Sequence, residues 1–239
     1  MIFLIYAEIP TAIDIRGNIA NDGQMQNPIK DSQILLSNII RDILHEKANG
    51  KVNESLISHF IFILLNNLGL NDQIIMRTVS QMRLTFDAKV KGIRLKDDKI
   101  KCVSDFVIKS MTSNEIVLNL ELKASDIPLE KYLTKDLSQL IAQCVGTAHH
   151  NIKIESSPKK TYFALLVRSF KFHFFVIECT RNYLDQMSKG QLTEELVVKR
   201  FDRNGEGLDF QLESDRQIIY SFFQMIRSSA SDSNIINSL

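Results

Sequence analysis

Two consecutive apolar runs of strand length, each carrying a carboxylate, constrain this chain more than any other feature. Asp105 lies within the first run, residues 100–110, and Glu121-Leu122-Lys123 ends the second, residues 115–123. Successive side chains of a strand point to opposite faces, so Glu121 and Lys123 share a face. If the two runs pair, Asp105 lies beside them. Two carboxylates and an ammonium in that arrangement can hold a hard divalent cation and orient a water molecule.

Length and composition predict one globular domain. The chain has 239 residues, of which 44% are apolar and 24% are charged, and four prolines and nine glycines are too few for a long flexible linker. The three cysteines are widely spaced without a Cys-x-x-Cys pair, which argues against a zinc module or a disulfide scaffold. These features predict a protein of a reducing compartment.

Neither a secretion signal nor a membrane-spanning run is visible. The apolar stretch at residues 1–5 is short and lacks a preceding basic region, and the run at residues 60–65 is far shorter than the roughly 20 residues that cross a bilayer. We therefore expect an intracellular protein, of the cytoplasm or nucleus, without membrane contact. The net charge is +1, so any binding of nucleic acid has to come from local basic patches.

Hydrophobic periodicity predicts both helices and strands. Helices are expected at residues 31–45, 53–68, 133–150, 184–189 and 215–227. Strands are expected at residues 79–92, 99–110, 115–124, 162–168 and 172–179. Short turns join the first three strands, which predicts an antiparallel meander, and the fourth strand returns after a helix, which predicts a parallel, right-handed crossover. Thr134 is the candidate cap of the third helix.

This element order and the three polar residues together resemble the PD-(D/E)XK nuclease superfamily, which includes restriction endonucleases. Its signature reads here as Ser104-Asp105, a fifteen-residue gap and Glu121-Leu122-Lys123, with a serine in place of the usual proline. The resemblance implies an α/β, restriction endonuclease-like fold, with an αβββαβ core and a mixed central sheet flanked by helices. That core would span about residues 53–178, with an N-terminal arm and helix at 1–50 and a C-terminal helical extension at 181–239.

The resemblance also implies roles for single residues. Asp105 and Glu121 are expected to bind Mg2+ or Mn2+, and Lys123 is expected to position the water or stabilise charge. Glu54, in the first turn of the first core helix, would be an additional acidic ligand. Gln139 is expected to take part in catalysis. Gln143, four residues further on, is expected to contact nucleic acid; some family branches have a tyrosine there.

Two basic segments are candidates for contacting the nucleic acid. Six basic residues lie between Lys89 and Lys101, and Lys89 and Lys91 are the candidates chosen from them. A second group lies between residues 153 and 181, from which Lys159 and Lys160 are chosen. Charges on a solvated hairpin or loop are an equally good interpretation of both segments.

The expected function is metal-dependent hydrolysis of phosphodiester bonds in nucleic acid, DNA before RNA, by a metal-activated water. The alternative is a nuclease-fold module without activity that serves as a nucleic-acid or protein interaction domain. A third interpretation, a viral-type cap-snatching endonuclease, needs a histidine ligand in the first core helix. His59 is the candidate, although its apolar neighbours predict that it is buried. The sequence leaves open whether the chain forms a homodimer or binds another protein.

Overall fold

The computed structural model describes residues 29–50, 52–89, 98–124, 129–154, 159–201 and 206–231. Its five helices are α1 (Ile29–Ala48), α2 (Glu54–Asn67), α3 (Leu129–Ile152), α4 (Arg181–Lys189) and α5 (Glu213–Ser231). Its seven strands are β1 (Met76–Asp87), β2 (Lys99–Ser110), β3 (Ile116–Lys123), β4 (Lys159–Arg168), β5 (Lys171–Thr180), β6 (Val197–Arg200) and β7 (Leu208–Asp209).

These strands form one mixed sheet in the order β1-β2-β3-β4-β5-β6, with β7 paired to β5. Only the β3–β4 pair is parallel, and α3 forms the crossover between those two strands. Helices α1, α2 and α5 pack against one face of the sheet, and α3 and α4 pack against the other. The predicted αβββαβ order, from α2 to β4, and the mixed sheet flanked by helices are confirmed.

Alternation along β3 decides which side chains meet which helix. Leu118, Leu120 and Leu122 are buried in the core on the α2 side. The side chains between them are polar, because Asn119 and Glu121 turn towards α3. The polar side chains of β3 therefore lie on the face towards α3, and its leucine side chains pack into the core on the opposite face.

Several predicted features differ from the structure. Helix α3 begins at Leu129, directly after Pro128 in the sequence, so Thr134 lies inside the helix and the prediction that it caps α3 is wrong. His59 is exposed although α2 buries most of its apolar residues, so the prediction that it is buried is also wrong.

Other sequence-based expectations fall outside the coordinates or stay untested. The expected arm at residues 1–28 and the candidate Lys91 lie outside the described residues. The division into a single domain with terminal extensions stays a prediction. Among the helices that the structure describes, none combines the length and apolar character needed to span a membrane.

Helix α3 lies very close to the sheet at Gly146. A Cβ atom built on Gly146 would lie 2.9 Å from Leu84 Cβ and 3.3 Å from Cys102 Sγ. Real Cβ atoms do not tolerate the shorter distance, so a side chain here would push α3 away from β1 and β2. The absence of a side chain at residue 146 thus sets the distance between α3 and the first two strands.

We expect the Gly146→Ala substitution to lower the free energy of unfolding by about 1–3 kcal/mol, as overpacking does in other cores. The sign is informative, because the same change at an uncrowded helix position raises stability by roughly 0.5–1 kcal/mol. Urea denaturation of parent and variant measures the difference. A variant more stable than the parent would contradict the close approach of Gly146 to Leu84.

Candidate functional site

The Asp105 carboxylate lies where the backbone pairing of β2 and β3 ends. The last paired residues are Phe106 and Leu120. Beyond them, the Leu122 backbone N–H donates to Asp105 Oδ2 at 2.8 Å, and Gln81 Nε2 donates to Oδ1 at 3.2 Å. The side chain of Asp105 thus supplies an acceptor that the β2 backbone does not provide, and both of its oxygens are held.

An irregularity in β1 and β2 creates this position. Ser80 pairs with Phe106, and Met82 pairs with Ser104, so the residues between them, Gln81 and Asp105, fall outside the ladder. Gln81 has a φ of 51°, in the left-handed region, which marks a local irregularity of the strand. Side chains change faces across it, since Ser104 turns to the α3 side and Phe106 to the α2 side.

Glu121 is buried between β3 and α3, with 1% of its surface exposed. Lys123 Nζ donates to its Oε1, and Gln143 Nε2 donates to its Oε2 at 2.5 Å. Burial raises the pKa of the Glu121 carboxyl above its usual value, and the charge of Asp105 adds to the rise, while Lys123 and Gln143 oppose it. Both oxygens of this buried carboxylate are therefore bonded to donors.

Lys123 carries the positive charge of the site. Burial alone would lower the pKa of its ammonium, but the hydrogen bond from Lys123 to Glu121 and the charges of Glu121, Asp105 and Glu54 raise it above the usual value. Glu54 acts from the first turn of α2 and is exposed. One ammonium thus lies within electrostatic reach of three carboxylates.

Three polar side chains of α3 fasten the helix to β3. Gln143, Thr147 and Asn151 are spaced four residues apart and face the sheet. Thr147 Oγ1 donates to Asn119 Oδ1 at 3.0 Å, and Asn151 bonds both backbone polar groups of Ile116. We call these three residues and their β3 partners the polar ladder.

The spacing of the polar ladder follows from helix and strand geometry. Four helical residues rise by about 6.0 Å and two strand residues by about 6.6 Å, so Gln143 and Thr147 meet Glu121 and Asn119 in step. Gln143 Nε2 also donates to the Val103 carbonyl of β2 at 2.8 Å. One amide group therefore holds α3, β2 and the Glu121 carboxylate together.

The structure brings some of the expected site residues together and separates others. Asp105, Glu121 and Lys123 converge, with Glu54 close enough to affect the pKa of Lys123. Gln139 is half-buried and forms no hydrogen bond with them in the described ranges. Gln143 was expected to contact nucleic acid, but it is fully buried beneath Glu121 and offers no surface for that contact.

The expected nucleic-acid contacts lie away from these carboxylates. Lys89 is exposed just beyond the end of β1, and its Nζ is 3.8 Å from Asp98 Oδ2. Lys159 and Lys160 begin β4, whereas Arg168, at the other end of that strand, is the residue level with Lys123. The whole length of β4 thus separates Lys159 and Lys160 from the site.

His59 does not join the carboxylates. It lies five residues after Glu54 on α2, which turns it about 140° around the helix axis from Glu54. Within the described part of the chain it forms neither a hydrogen bond nor an ion pair. The helical histidine ligand of the cap-snatching interpretation is therefore not supplied by His59.

No group of three or more His, Cys, Asp and Glu side chains that could hold a metal occurs among the described residues.

Sequence analysis did not identify four residues that shape the site: Gln81, Asn119, Thr147 and Asn151. The four-residue spacing of Gln143, Thr147 and Asn151 within an otherwise apolar helix face was the signal that could have revealed the polar ladder. No pattern in the sequence marks the irregularity at Gln81, because glutamine is ordinary at an exposed strand position and its positive φ is visible only in the folded backbone.

Comparisons with known proteins add little beyond this geometry. No family model and no curated protein matches the chain. Among solved structures, the chain is similar to the type IIG restriction endonuclease BpuSI, with 18% identity and a TM-score of 0.36. The match covers 71% of this chain and 15% of that one, so the chain spans a small part of the endonuclease's length. Similarity at this level assigns no activity.

The raised pKa of Glu121 has a consequence for the pH dependence of stability. The folded protein retains a proton at pH values where the unfolded chain, with its pKa near 4.5, has lost it. The parent therefore loses stability as pH rises through this range. Glu121→Gln lacks that loss, so we expect its stability relative to the parent to increase between pH 4 and pH 7. Urea denaturation at three pH values measures it.

The exposed glutamate substitution Glu195→Gln is the matched control. Its stability relative to the parent should change little over the same pH range. If the two substitutions give parallel curves, the carboxyl of Glu121 is not perturbed by burial.

Proposed function

We propose that this chain hydrolyses phosphodiester bonds in nucleic acid, DNA before RNA, in a reaction that depends on a divalent cation. The observation that carries the proposal is the convergence of Asp105, Glu121 and Lys123 where the β2–β3 ladder ends. A buried carboxylate beside a second carboxylate is costly unless a cation is near, so a pair of this kind favours a functional explanation.

The donor set fits Mg2+ or Mn2+. Hard divalent cations prefer carboxylate oxygens and retain several waters, so Asp105 and Glu121 would be a sufficient protein contribution. Glu54 adds a third negative charge to the neighbourhood of the single Lys123 ammonium. When bound, such a cation would polarise the phosphate and lower the pKa of the attacking water.

The chain's own residues would orient and stabilise the reacting groups. Lys123 retains its charge, since its pKa is raised, and would steady negative charge on the phosphate oxygens. Gln143 would hold the Glu121 carboxylate in one orientation from beneath. The Leu122 N–H would do the same for Asp105. Water is the nucleophile in this scheme, so no covalent enzyme intermediate is expected.

We expect Asp105→Asn to reduce Mg2+-dependent or Mn2+-dependent cleavage of DNA by at least about a hundredfold, the scale on which single charge-stabilising groups act. The asparagine oxygen can still accept from the Leu122 N–H, so the fold should remain. Cleavage of a labelled duplex and circular dichroism measure the two effects. Asp185→Asn, at an exposed position of α4, is the matched control and should cleave like the parent.

Equal cleavage by the parent and Asp105→Asn would contradict the proposed role of Asp105. A folded parent that fails to cut single-stranded or double-stranded DNA or RNA with either metal would contradict the hydrolase proposal as a whole.

The second candidate is an inactive module that uses the same fold to bind a partner. One observation favours it: both oxygens of Glu121 are already engaged, by Lys123 and Gln143. A cation would have to displace Lys123 from one of them. If Lys123 instead neutralises Glu121 permanently, the site is an internal ion pair and needs no metal.

A calorimetric Mn2+ titration separates the two candidates. We expect the parent to bind Mn2+ and both Asp105→Asn and Glu121→Gln to lose most of that affinity, because each removes a carboxylate ligand. Asp185→Asn again serves as the control and should bind like the parent. Heat signals that are equally absent in all four proteins would favour the inactive module.

A further inference from the structure

Strands β1 and β2 continue past the site as a two-stranded ribbon. The β2–β3 pairing covers residues 106–109 of β2, so residues 99–104 of β2 pair with β1 alone. In this ribbon Arg83 pairs with Val103, and Thr85 pairs with Lys101. The ribbon and the site share strand β2, because Asp105 is the next residue along.

One face of the ribbon is covered and the other is open. Leu84 and Cys102 face α3, where they lie against Gly146. Alternation therefore turns Arg83, Lys101 and Val103 to the opposite face. All three are exposed, and 40% of the surface of Val103 is accessible, so none of the described helices lies over this face. An apolar side chain left open beside two cations is unusual for a central stretch of a sheet strand.

The charge of the open face is positive and unpaired. Arg83, Lys99 and Lys101 are exposed and form no ion pair with any described residue. Elsewhere in the described chain cations such as Lys171 and Lys199 are each paired with a carboxylate. Asp87 is the cross-strand partner of Lys99, but its Oδ2 lies 3.3 Å from His149 Nε2. Unpaired cations clustered on one face of the ribbon create a positive potential that attracts a polyanion.

The open face leads along β2 to Asp105. Helix α2, which carries Glu54, packs on the face opposite α3, and the open ribbon face is a continuation of it. On the α3 side, Gln143 covers Glu121. A substrate that reaches Asp105 where the β2–β3 ladder ends would therefore lie next to the ribbon.

The spacing suits a nucleic-acid backbone. Lys101 is four residues from Asp105 along β2, a distance of about 13 Å in a strand. Successive nucleotides of one strand in duplex DNA advance by about 3.4 Å along the axis. A phosphate at Asp105 would thus place another phosphate, roughly four nucleotides away along the same strand, level with Lys101.

We propose that the open face of the β1–β2 ribbon, with Arg83, Lys99 and Lys101, binds the backbone phosphates of a DNA duplex that extends from the carboxylate site. The identification of the bound DNA as a substrate rests on the proposed function. The proposal that this surface binds phosphates does not depend on it. Thr85, between the cations, can donate a hydrogen bond to a phosphate oxygen. None of these contacts reads a base, so the ribbon would bind all sequences alike.

The test measures binding without cleavage. A fluorescein-labelled duplex of 20 base pairs is titrated in EDTA, and fluorescence anisotropy gives the affinity at several salt concentrations. We expect Arg83→Gln with Lys101→Gln to weaken binding on the order of tenfold and to reduce the slope of log K against log salt by about 2, since each phosphate contact contributes about 0.9. Thr85→Arg, which adds a cation to the open face, should increase both affinity and slope.

The matched control is Arg41→Gln with Lys47→Gln, which removes two exposed cations of α1 that belong to neither basic segment. Its slope should equal that of the parent. A ribbon variant that behaves like this control, or a parent that does not bind the duplex at low salt, would overturn the proposal. Parent-like binding by Asp105→Asn, together with no cleavage by the parent, would leave the ribbon surface standing and remove the hydrolase.

Discussion

Burying the Glu121 carboxylate between a strand and a helix imposes a requirement on everything around it. An ionised carboxylate out of water needs donors for both of its oxygens. Lys123 meets this requirement from the same strand and Gln143 meets it from α3. Gln143 can do so only if α3 lies close to the sheet, which Gly146 permits, and in step with β3, which the polar ladder ensures. The position of the helix and the chemistry of the site are therefore a single structural problem.

The second constraint is an interruption of strand pairing at Gln81 and Asp105. A regular ladder through Asp105 would give the Leu122 N–H a backbone partner and leave the carboxylate to point elsewhere. Because β1 and β2 are both irregular at this level, the ladder stops and the side chain enters the gap. The same irregularity leaves the preceding stretch of β2, residues 99–104, paired with β1 alone. The open ribbon and the held carboxylate thus arise from one break in pairing.

How far the sequence predicts this arrangement depends on the range of the interaction. Alternation within β3 predicts that Glu121 and Lys123 share a face, and they do, because both residues belong to one strand. The bounds of β2 are likewise predicted, since its apolar run begins and ends at turns. The sequence does not predict that Gln143 bonds Glu121. The two residues are 22 positions apart, and their contact depends on how α3 packs against the sheet. Thr134 and His59 fail for a related reason: local neighbours do not fix where a helix starts or which side of it is covered.

The backbone N–H of Leu122 requires an acceptor from the side chain at position 105, whatever chemistry that side chain performs. A sheet in which that amide found no acceptor would carry an unsatisfied polar group at its centre. Asparagine at position 105 would supply this acceptor, whereas alanine or valine would not. An asparagine at this position would therefore leave the sheet foldable, so an acceptor at residue 105 records architecture and does not by itself indicate activity.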